Sequence, residues 1–309
     1  MHNMSRFEAM QTFVRVVEKG GISRAAESLD LAKSAVSKRL SDLENRLGTQ
    51  LLIRTTRSLS LTDNGRGYYE HCLRILGDLE EVESELGSAD ADLRGHLKVA
   101  APMSFGVLHI GPALTEFLDL NPHLHLDVEF NDRHVNLVEE GIDLAIRIAR
   151  MKDSSLIARR LTTIRFVTCA SPAYLNEHGV PHRPADLSRH VCLRYGNVPE
   201  SSWTFEDRAG HVSRVKVPVR LVANNGDYLR EAAIAGLGLV RQPTFIVYQA
   251  IARGQLVPLL GDYRGPEMSA YTVYPQIRHR SHRVRSLIDF LIARFAGIPY
   301  WDLGIPVAD

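Results

Sequence analysis

Residues 33–44, KSAVSKRLSDLE, predict a helix with one polar face that could contact nucleic acid. Val36, Leu40, Leu43 and Leu47 recur at helical spacing and predict a buried stripe. The opposite side carries short hydroxyl and cationic side chains, where a solvated helix more often pairs Glu with Lys. Such side chains contact phosphates and base edges. The candidate contacts on this helix are Lys33, Ser34, Ser37, Lys38 and Arg39.

Two shorter helices are predicted to hold this face in place. A first apolar stripe runs from Phe7 to Val17, and the Gly20-Gly21 pair ends its helix. Ser23 is a candidate N-cap for a second helix, SRAAESL, whose alanines allow close packing. Asp30 and Leu31 then form a tight turn into the helix of residues 33–44. Two helices joined in this way predict a helix-turn-helix.

Residues 48–62, GTQLLIRTTRSLSLT, predict a β-hairpin beside the helix-turn-helix. Two apolar runs flank a turn that is rich in Arg and Thr. A hairpin in this position is a wing, and its cations could reach phosphates or a minor groove. The candidate contacts on the wing are Arg54, Thr56 and Arg57.

The run from Phe13 to Tyr69, through AVSK, LENRLG and RTTRSLSLT, resembles the N-terminal domain of LysR-type transcriptional regulators. The resemblance implies that Ser34, Ser37 and Lys38 face the major groove, with Arg39 near the backbone and the wing residues beside them. A solvated face and an exposed hairpin without a DNA role are the alternative. The sequence departs from the family at Gly21-Ile22 and at Leu52, which are core positions.

The charge distribution separates three parts of this 309-residue chain, although its net charge is only +1. Residues 1–66 hold eleven basic and seven acidic side chains, whereas residues 67–92 hold one basic and eight acidic. A basic head followed by an acidic segment suits DNA contact through the head alone. No apolar run is long enough to span a bilayer and no signal peptide is evident, so we expect a cytoplasmic protein. The three cysteines do not suggest a disulfide framework.

The acidic segment, residues 62–92, predicts a long linker helix that forms a dimer, with Thr62 as a candidate N-cap. Its apolar residues repeat with heptad spacing, and such a helix needs a partner strip. A second copy of the chain is the simplest partner, and packing on the chain's own second domain is the alternative. By resemblance, the paired linkers set the spacing of two recognition helices on an interrupted palindrome. The predicted dimerisation residues are Tyr68, Cys72, Ile75, Leu79, Val82 and Leu86.

Strands and helices alternate from residue 93 onward and predict an α/β domain with mostly parallel strands. The predicted elements include a strand RVKVPVRLV, a helix near 134–140 and a last helix, HRVRSLIDFLIARF, that should pack on the first half of the domain. The resemblance adds a periplasmic-binding-protein-like sensor with two subdomains around a ligand cleft. We therefore predict a winged helix-turn-helix domain at 1–61, a linker helix at 62–92 and an effector-binding domain at 93–309. Subdomain one is expected at 93–161 plus 268–296, and subdomain two at 162–267.

Ligands of open α/β sheets lie beyond the carboxyl ends of the strands, which selects a set of candidate effector contacts. These positions match the family's effector site by resemblance, and they favour a small, anionic effector. Helix capping by Ser104 and Asp227 is the alternative. Arg241-Gln242 stand where an apolar pair is common; the arginine could favour anions or point to solvent. The candidate effector residues are Met103, Ser104, Phe105, Asn131, Ile148, Asn225, Gly226 and Asp227.

The sequence contains no catalytic motif of the Gly-x-Ser-x-Gly, Walker or His-Glu-x-x-His type, so we expect no enzyme activity and no cofactor. Its histidine pairs lack further ligands at metal spacing, so no metal site is predicted. The favoured function is a sequence-specific regulator of transcription that responds to an effector. Its expected partners are double-stranded DNA, further copies of itself as dimer and tetramer, and RNA polymerase as a candidate. A nonspecific architectural DNA-binding protein is the alternative function.

Overall fold

A computed structural model describes residues 5–54, 59–85, 93–133, 136–149, 157–196, 202–265, 268–278 and 281–306. The side chains of Arg54, of residues 80–85 and of Ile277 are outside this description. The chain divides into two compact units, residues 1–96 with 123–125 and residues 97–122 with 126–309.

The first unit contains the predicted helix-turn-helix. Val36, Leu40 and Leu43 are buried with Phe13 in its core, which confirms three members of the predicted stripe. Leu47 is 40% exposed, so the prediction for that residue was wrong. The helix ends at Leu47 and Gly48 follows in the left-handed conformation, which places Leu47 in a terminal turn outside the core. The elements are α1 (Arg6–Glu18), α2 (Ile22–Ser28), α3 (Lys33–Leu47), β1 (Leu52–Arg54), β2 (Leu59–Leu61) and α4 (Asp63–Glu85).

The turns of the first unit differ from prediction in one detail. The N-cap of α2 is Gly21 and not Ser23, because Ile22 already packs against the core as the first helical residue. Gly20 takes a φ of 61°, which suits a residue without a Cβ. Asp30 takes a φ of 52° in the turn before α3, a conformation that Asp tolerates better than most residues.

The wing and the start of α4 have the predicted form. β1 and β2 pair in antiparallel register, with Leu52 opposite Leu61. Thr62 caps α4: its Oγ1 accepts the N–H of Gly65 at 2.9 Å and donates to Gln50 O at 2.8 Å. A Cβ on Gly65 would lie 2.0 Å from Leu51 O, so glycine is required where the helix crosses the wing.

The second unit is an α/β structure with two five-stranded sheets and a separate hairpin. The first sheet has the order β4-β3-β5-β14-β6 and the second β11-β8-β12-β7-β13. The strands are β3 (Gly95–Ala101), β4 (Leu124–Phe130), β5 (Leu144–Ala149), β6 (Ile157–Ile164), β7 (Phe166–Ala170), β8 (Cys192–Tyr195), β9 (Ser202–Glu206), β10 (Val212–Lys216), β11 (Val219–Ala223), β12 (Leu239–Pro243), β13 (Val257–Leu259) and β14 (Met268–Tyr274). The helices are α5 (Met103–Phe105), α6 (Gly111–Leu120), α7 (Pro172–His178), α8 (Gly226–Ile234), α9 (Thr244–Ala252) and α10 (His282–Arg294).

Both sheets are mixed, yet the prediction of mostly parallel strands was confirmed. In the first sheet β3, β5 and β6 run in one direction against β14, and in the second β8, β11, β12 and β13 run in one direction against β7. β3–β5, β8–β11 and β8–β12 are parallel, whereas β14 runs antiparallel to β5 and β6, and β7 to β12 and β13. The antiparallel pairs arise where the chain passes between the sheets. β6 belongs to the first sheet and β7 to the second, with Arg165 between them, and β14 returns to the first sheet after β13.

Two predicted elements have a different form. The strand RVKVPVRLV is divided into β10 and β11, because Pro218 has no N–H to donate and its carbonyl instead accepts from Cys192 N at 2.8 Å. In place of a helix over 134–140, residues 137–141 form a turn, with residues 134–135 outside the description. The last helix, α10, buries Val284, Leu287 and Leu291 and contacts α6 and β6, as predicted.

The segment after α10 closes the hydrophobic core of the second unit. Trp301 is 1% exposed, and its ring centroid lies 5.7 Å from that of Phe105 and 6.4 Å from that of Phe245. The Asp302 carboxylate pairs with Arg165 at 2.9 Å and accepts a hydrogen bond from Thr244 Oγ1 at 2.5 Å. Asp302 therefore links Arg165, where the chain passes from β6 to β7, to the first residue of α9.

Candidate functional site

The exposed side of α3 carries most of the residues predicted to bind DNA. Lys33, Ser34 and Lys38 are exposed, and Ser37 is half-buried. The first turn of α3 contains no acidic residue, and no described side chain caps it at Ala32. The positive end of the helix dipole and two lysines thus act in the same region. This arrangement suits the anionic phosphate backbone of DNA.

Arg39 is half-buried and oriented by α1. One guanidinium N–H donates to Thr12 Oγ1 at 3.3 Å, and Thr12 Oγ1 donates to Glu8 O at 2.7 Å. A guanidinium has five N–H donors, so one internal bond leaves others for a phosphate. The contact with α1 fits the expected place of Arg39 near the DNA backbone.

Glu44 connects α3 to the wing. Its Oε1 accepts the backbone N–H groups of Leu51 at 2.9 Å and of Leu52 at 3.1 Å. Glu44 therefore fixes the start of β1 on α3. The side chain of Arg54 and the residues Thr56 and Arg57 lie outside the described residues, so their predicted contacts remain predictions.

The predicted dimerisation strip falls into two parts along α4. Cys72 is buried in the core of the first unit, and the Tyr68 ring lies 5.5 Å from the Phe13 ring. Cys72 therefore has no surface left for a partner chain, which corrects its predicted role. Ile75 is 42% exposed and Leu79 is half-buried. The side chain of Val82 and all of Leu86 lie outside the description.

A cavity of about 410 Å³ lies where residues from both sheets of the second unit meet. Four predicted effector residues, Ser104, Phe105, Asn131 and Ile148, line it. They follow or belong to β3, β4 and β5, as the strand-end rule predicts. Next to Phe105 the chain forms a π-helical turn, Gly106–Ile110, at which a Cβ on Gly106 would lie 2.4 Å from Phe130.

Around this cavity, hydrogen bonds between side chains connect segments that follow strands of the first sheet with segments of the second sheet and its helices. Ser104 Oγ donates to Asp227 Oδ2 at 2.6 Å, and Tyr195 Oη donates to Asp132 Oδ2 at 3.0 Å. Asp132 also accepts the backbone N–H of Met103 at 3.0 Å. The polar groups expected to bind an anion at α5 are therefore already paired with carboxylates of this chain.

The other four predicted effector residues are not among the residues that line the cavity. Met103 is 38% exposed. Asn225 caps α8, since its Oδ1 accepts the N–H of Tyr228 at 2.8 Å. Gly226 is packed so closely that a Cβ would lie 2.4 Å from Ile246 Cδ1. Asp227 pairs with Arg230 at 2.8 Å as well as with Ser104. The capping alternative for Ser104 and Asp227 was therefore wrong, because Asn225 caps α8 and no described side chain caps α5 at Pro102.

Sequence reasoning missed several polar residues in the cavity wall. Arg147 and Tyr195 line it, although neither was predicted. Arg241 and Gln242 also line it, and their departure from an apolar pair was the available signal. Arg147 lies here because the last four residues of β5, from Ile146 to Ala149, all line the cavity, so that both faces of the strand end contribute to its wall.

Arg241 lies over two aromatic rings, 5.0 Å from the ring centroid of Trp203 and 5.3 Å from that of Phe205. One guanidinium N–H donates to Thr204 O at 3.0 Å. Burial disfavours the charged form and lowers the pKa of Arg241 to about 10, so it stays cationic at neutral pH. Burial also lowers the pKa of Arg147. Desolvated cations in a cavity wall favour an anionic ligand.

His109, on the π-helical turn, is buried behind the cavity in its neutral form. Its Nε2 lies 3.2 Å from Phe245 O and its Nδ1 lies 2.6 Å from Tyr300 Oη. A neutral imidazole satisfies both, donating to the carbonyl and accepting from the hydroxyl. Burial lowers the pKa of His109 to about 4.

Other kinds of site find no support in the described residues. All three cysteines are free and buried, and burial raises the pKa of Cys72 to about 11. Within the described ranges, no three metal-ligating side chains come together. None of the described helices combines the length and apolar character needed to cross a membrane.

Both units match protein-family models that belong to the same family. Residues 7–66 match the bacterial regulatory helix-turn-helix protein model of the lysR family. Residues 90–296 match the LysR substrate binding domain. The second match alone covers more than half of the chain.

Individual relatives agree over nearly the full length. An HTH-type transcriptional regulator of Haemophilus influenzae is 37% identical over 92% of this chain and 99% of its own length. Among solved structures, the LysR-type regulator CrgA from Neisseria meningitidis has a TM-score of 0.61 at 34% identity, covering 95% of this chain and all of that one. The Vibrio cholerae virulence activator AphB has a TM-score of 0.59 at 26% identity, with 94% and 99% covered.

Proposed function

This chain belongs to the LysR family of transcriptional regulators, and from that premise we propose that it binds interrupted palindromic DNA and responds to a small, anionic effector. It is a DNA-binding regulator with an effector-binding domain and not an enzyme. The observation that carries the proposal is one chain with a positive, exposed α3 in one unit and a cation-lined cavity in the other.

The DNA step relies on polar side chains that α3 exposes to solvent. Ser34 and Lys38 lie on the exposed side of α3, whose buried side is held by Val36 and Leu40. In this proposal Ser34, Ser37 and Lys38 enter the major groove, while Lys33 and Arg39 contact the backbone. Arg54, Thr56 and Arg57 act from the wing.

The dimer step relies on the later part of α4. Ile75, exposed in the isolated chain, and Leu79, Val82 and Leu86 beyond it continue the heptad spacing past the region that packs on the head. A second copy supplies the same strip, so that two recognition helices face two half-sites. Pairs of dimers would form the tetramer, with RNA polymerase as a further partner. The protein acts in the cytoplasm, where bacterial DNA is accessible.

The effector step relies on the hydrogen bonds that join the subdomains. An anion attracted by Arg147 and Arg241 would enter next to the Ser104–Asp227 and Tyr195–Asp132 bonds. A ligand that binds one arrangement of the subdomains better than another shifts the population between them. That shift changes the angle between the DNA-binding heads and involves no covalent chemistry.

In vitro selection from random duplexes tests this proposal against a nonspecific architectural role. We expect the full chain to enrich an interrupted palindrome, and the preference for it over scrambled DNA should persist as salt rises. A control with Lys19→Glu, an exposed lysine at the end of α1, should select the same sequence. No enriched sequence, with binding that vanishes as salt rises, would support the architectural role instead.

A further inference from the structure

Gln242 is a buried polar side chain in the wall of the cavity, and no hydrogen bond of its amide nitrogen within the described residues accounts for its presence there. It is 1% exposed, and its Nε2 atom is buried without a hydrogen-bond partner in the part of the chain that the structure describes. It lies on β12, where Leu239 and Val240 are fully buried apolar residues. An unpaired buried amide destabilises a fold, so an apolar residue here would serve packing better.

The two ends of the Gln242 amide have different surroundings. A Cβ built on Gly226 would lie 3.1 Å from Gln242 Oε1, so the oxygen is next to the first turn of α8. The positive end of that helix favours the oxygen there. The nitrogen is left as a donor without an acceptor among the described residues, and Gln242 itself forms part of the cavity wall.

The other residues of the cavity wall indicate the size and the polarity of the ligand. Phe105, Phe166 and Phe245 line the cavity, so that much of its surface is aromatic. Its volume of about 410 Å³ is near the lower end for small-molecule sites. Arg241, next to Gln242 in sequence, adds a desolvated cation. An apolar body of one ring with one oxygen acceptor fits these groups.

We propose that Gln242 determines effector specificity by donating its Nε2–H to a carbonyl or carboxylate oxygen on a compact, ring-sized effector. The inference rests on the proposed function, because it takes this cavity as the effector site. It adds to that function a residue that recognises the effector, Gln242, and the chemical group that this residue binds. The acceptor oxygen supplies the hydrogen bond that Gln242 lacks in the ligand-free chain.

Three compounds that share a phenyl ring test the proposal on the purified full-length protein. Phenylacetate and 2-phenylacetamide carry the acceptor oxygen, whereas ethylbenzene does not. Titration calorimetry should give both oxygen-bearing compounds at least about tenfold tighter binding than ethylbenzene. Gln242→Leu should remove the advantage of the neutral 2-phenylacetamide and leave ethylbenzene binding unchanged, whereas phenylacetate should keep the part of its advantage that Arg147 and Arg241 supply. Gln249→Leu is the matched control, since Gln249 is exposed on α9 and its side chain bonds only Tyr248 among the described residues.

Thermal unfolding without any compound provides the second measurement. Gln242→Leu should unfold at the same temperature as the parent or higher, because the change removes an unpaired buried amide. A clearly lower unfolding temperature would assign Gln242 a structural role and overturn the proposal. Equal binding of all three compounds by the parent would overturn it as well. Either result leaves the DNA selection experiment unaffected, so failure here is distinct from failure of the proposed function.

Discussion

The two functional surfaces of this protein use polar residues in opposite ways. On α3, Lys33, Ser34 and Lys38 are exposed and lie over a core of buried aliphatic residues. Around the cavity, Ser104 and Asp227 are bonded to each other across the two subdomains. The first surface is ready for a partner as it stands, whereas the second is held by internal bonds that a ligand must compete with or exploit.

This difference determines how far each functional surface can be predicted from the sequence. A DNA-binding face requires only that side chains on one helix point outward, which helical periodicity specifies. A ligand cavity requires side chains from strands far apart in the chain, and their pairing decides which of them are available. The comparison predicts that damage to one surface leaves the other intact.

A core substitution in the first unit should separate the two functions most strongly. Leu40→Ala removes a side chain that is 1% exposed and should destabilise the first unit by about 2–5 kcal/mol. Urea denaturation followed by circular dichroism measures the loss. DNA binding should be lost, while phenylacetate binding at the cavity remains. Loss of both would mean that the units do not fold independently and would break the comparison.

Acid should weaken the second unit through His109. Because its pKa is lowered to about 4, the stability that neutral His109 contributes is complete above pH 6.5 and is lost as pH falls toward 4. The full effect is about 3 kcal/mol of unfolding free energy. Urea midpoints of the parent should fall between pH 7 and pH 4.5.

His109→Gln is the control for this pH dependence, since an amide can also donate to Phe245 O and accept from Tyr300 Oη. Its urea midpoint should change less over the same range. An equal pH dependence in parent and variant would assign the acid sensitivity to other groups.

Charge reversal on α3 should weaken DNA binding without affecting the fold. Lys38→Glu replaces an exposed cation by an anion, and its affinity for the selected palindrome should fall about tenfold to a hundredfold. Fluorescence anisotropy at fixed salt measures the change, with Lys19→Glu as the matched control on the same unit. If the two variants lost affinity equally, Lys38 would contribute only to the general field of the domain.

The smallest expected effect is at the hydrogen bond between the subdomains. Ser104→Ala removes the donor to Asp227 and should lower the unfolding free energy by about 1 kcal/mol, because the Asp227 carboxylate keeps its pair with Arg230. Hydrogen exchange of the α5 and α8 amides measures the loosening. Unchanged exchange would show that this bond does not hold the subdomains together.

The helix-turn-helix was the part most accessible to sequence reasoning. The stripe of Val36, Leu40 and Leu43 and the cap at Thr62 are local patterns, and both were confirmed. The errors there were also local: Leu47 lies in a terminal turn, and Gly21 rather than Ser23 is the N-cap of α2. Short-range periodicity fixes such elements to within a residue or two.

The cavity was less accessible because its geometry depends on distant partners. Ser104 and Asp227 are separated by 123 residues, and no local pattern shows that they bond each other. The strand-end rule selected Phe105, Asn131 and Ile148 correctly as cavity residues, yet it missed Arg147 and Tyr195 on the same walls. Whether strands pair in parallel or antiparallel order also depends on the crossings between the sheets, which composition does not reveal.

Genome-wide mapping of binding sites by crosslinking and sequencing in the native cells tests the central claim most directly. The parent protein should give a small number of sharp intergenic peaks that share an interrupted palindrome, and the peaks should disappear with Lys38→Glu. Diffuse enrichment that is unchanged by Lys38→Glu, with folded protein present, would contradict sequence-specific regulation by this chain.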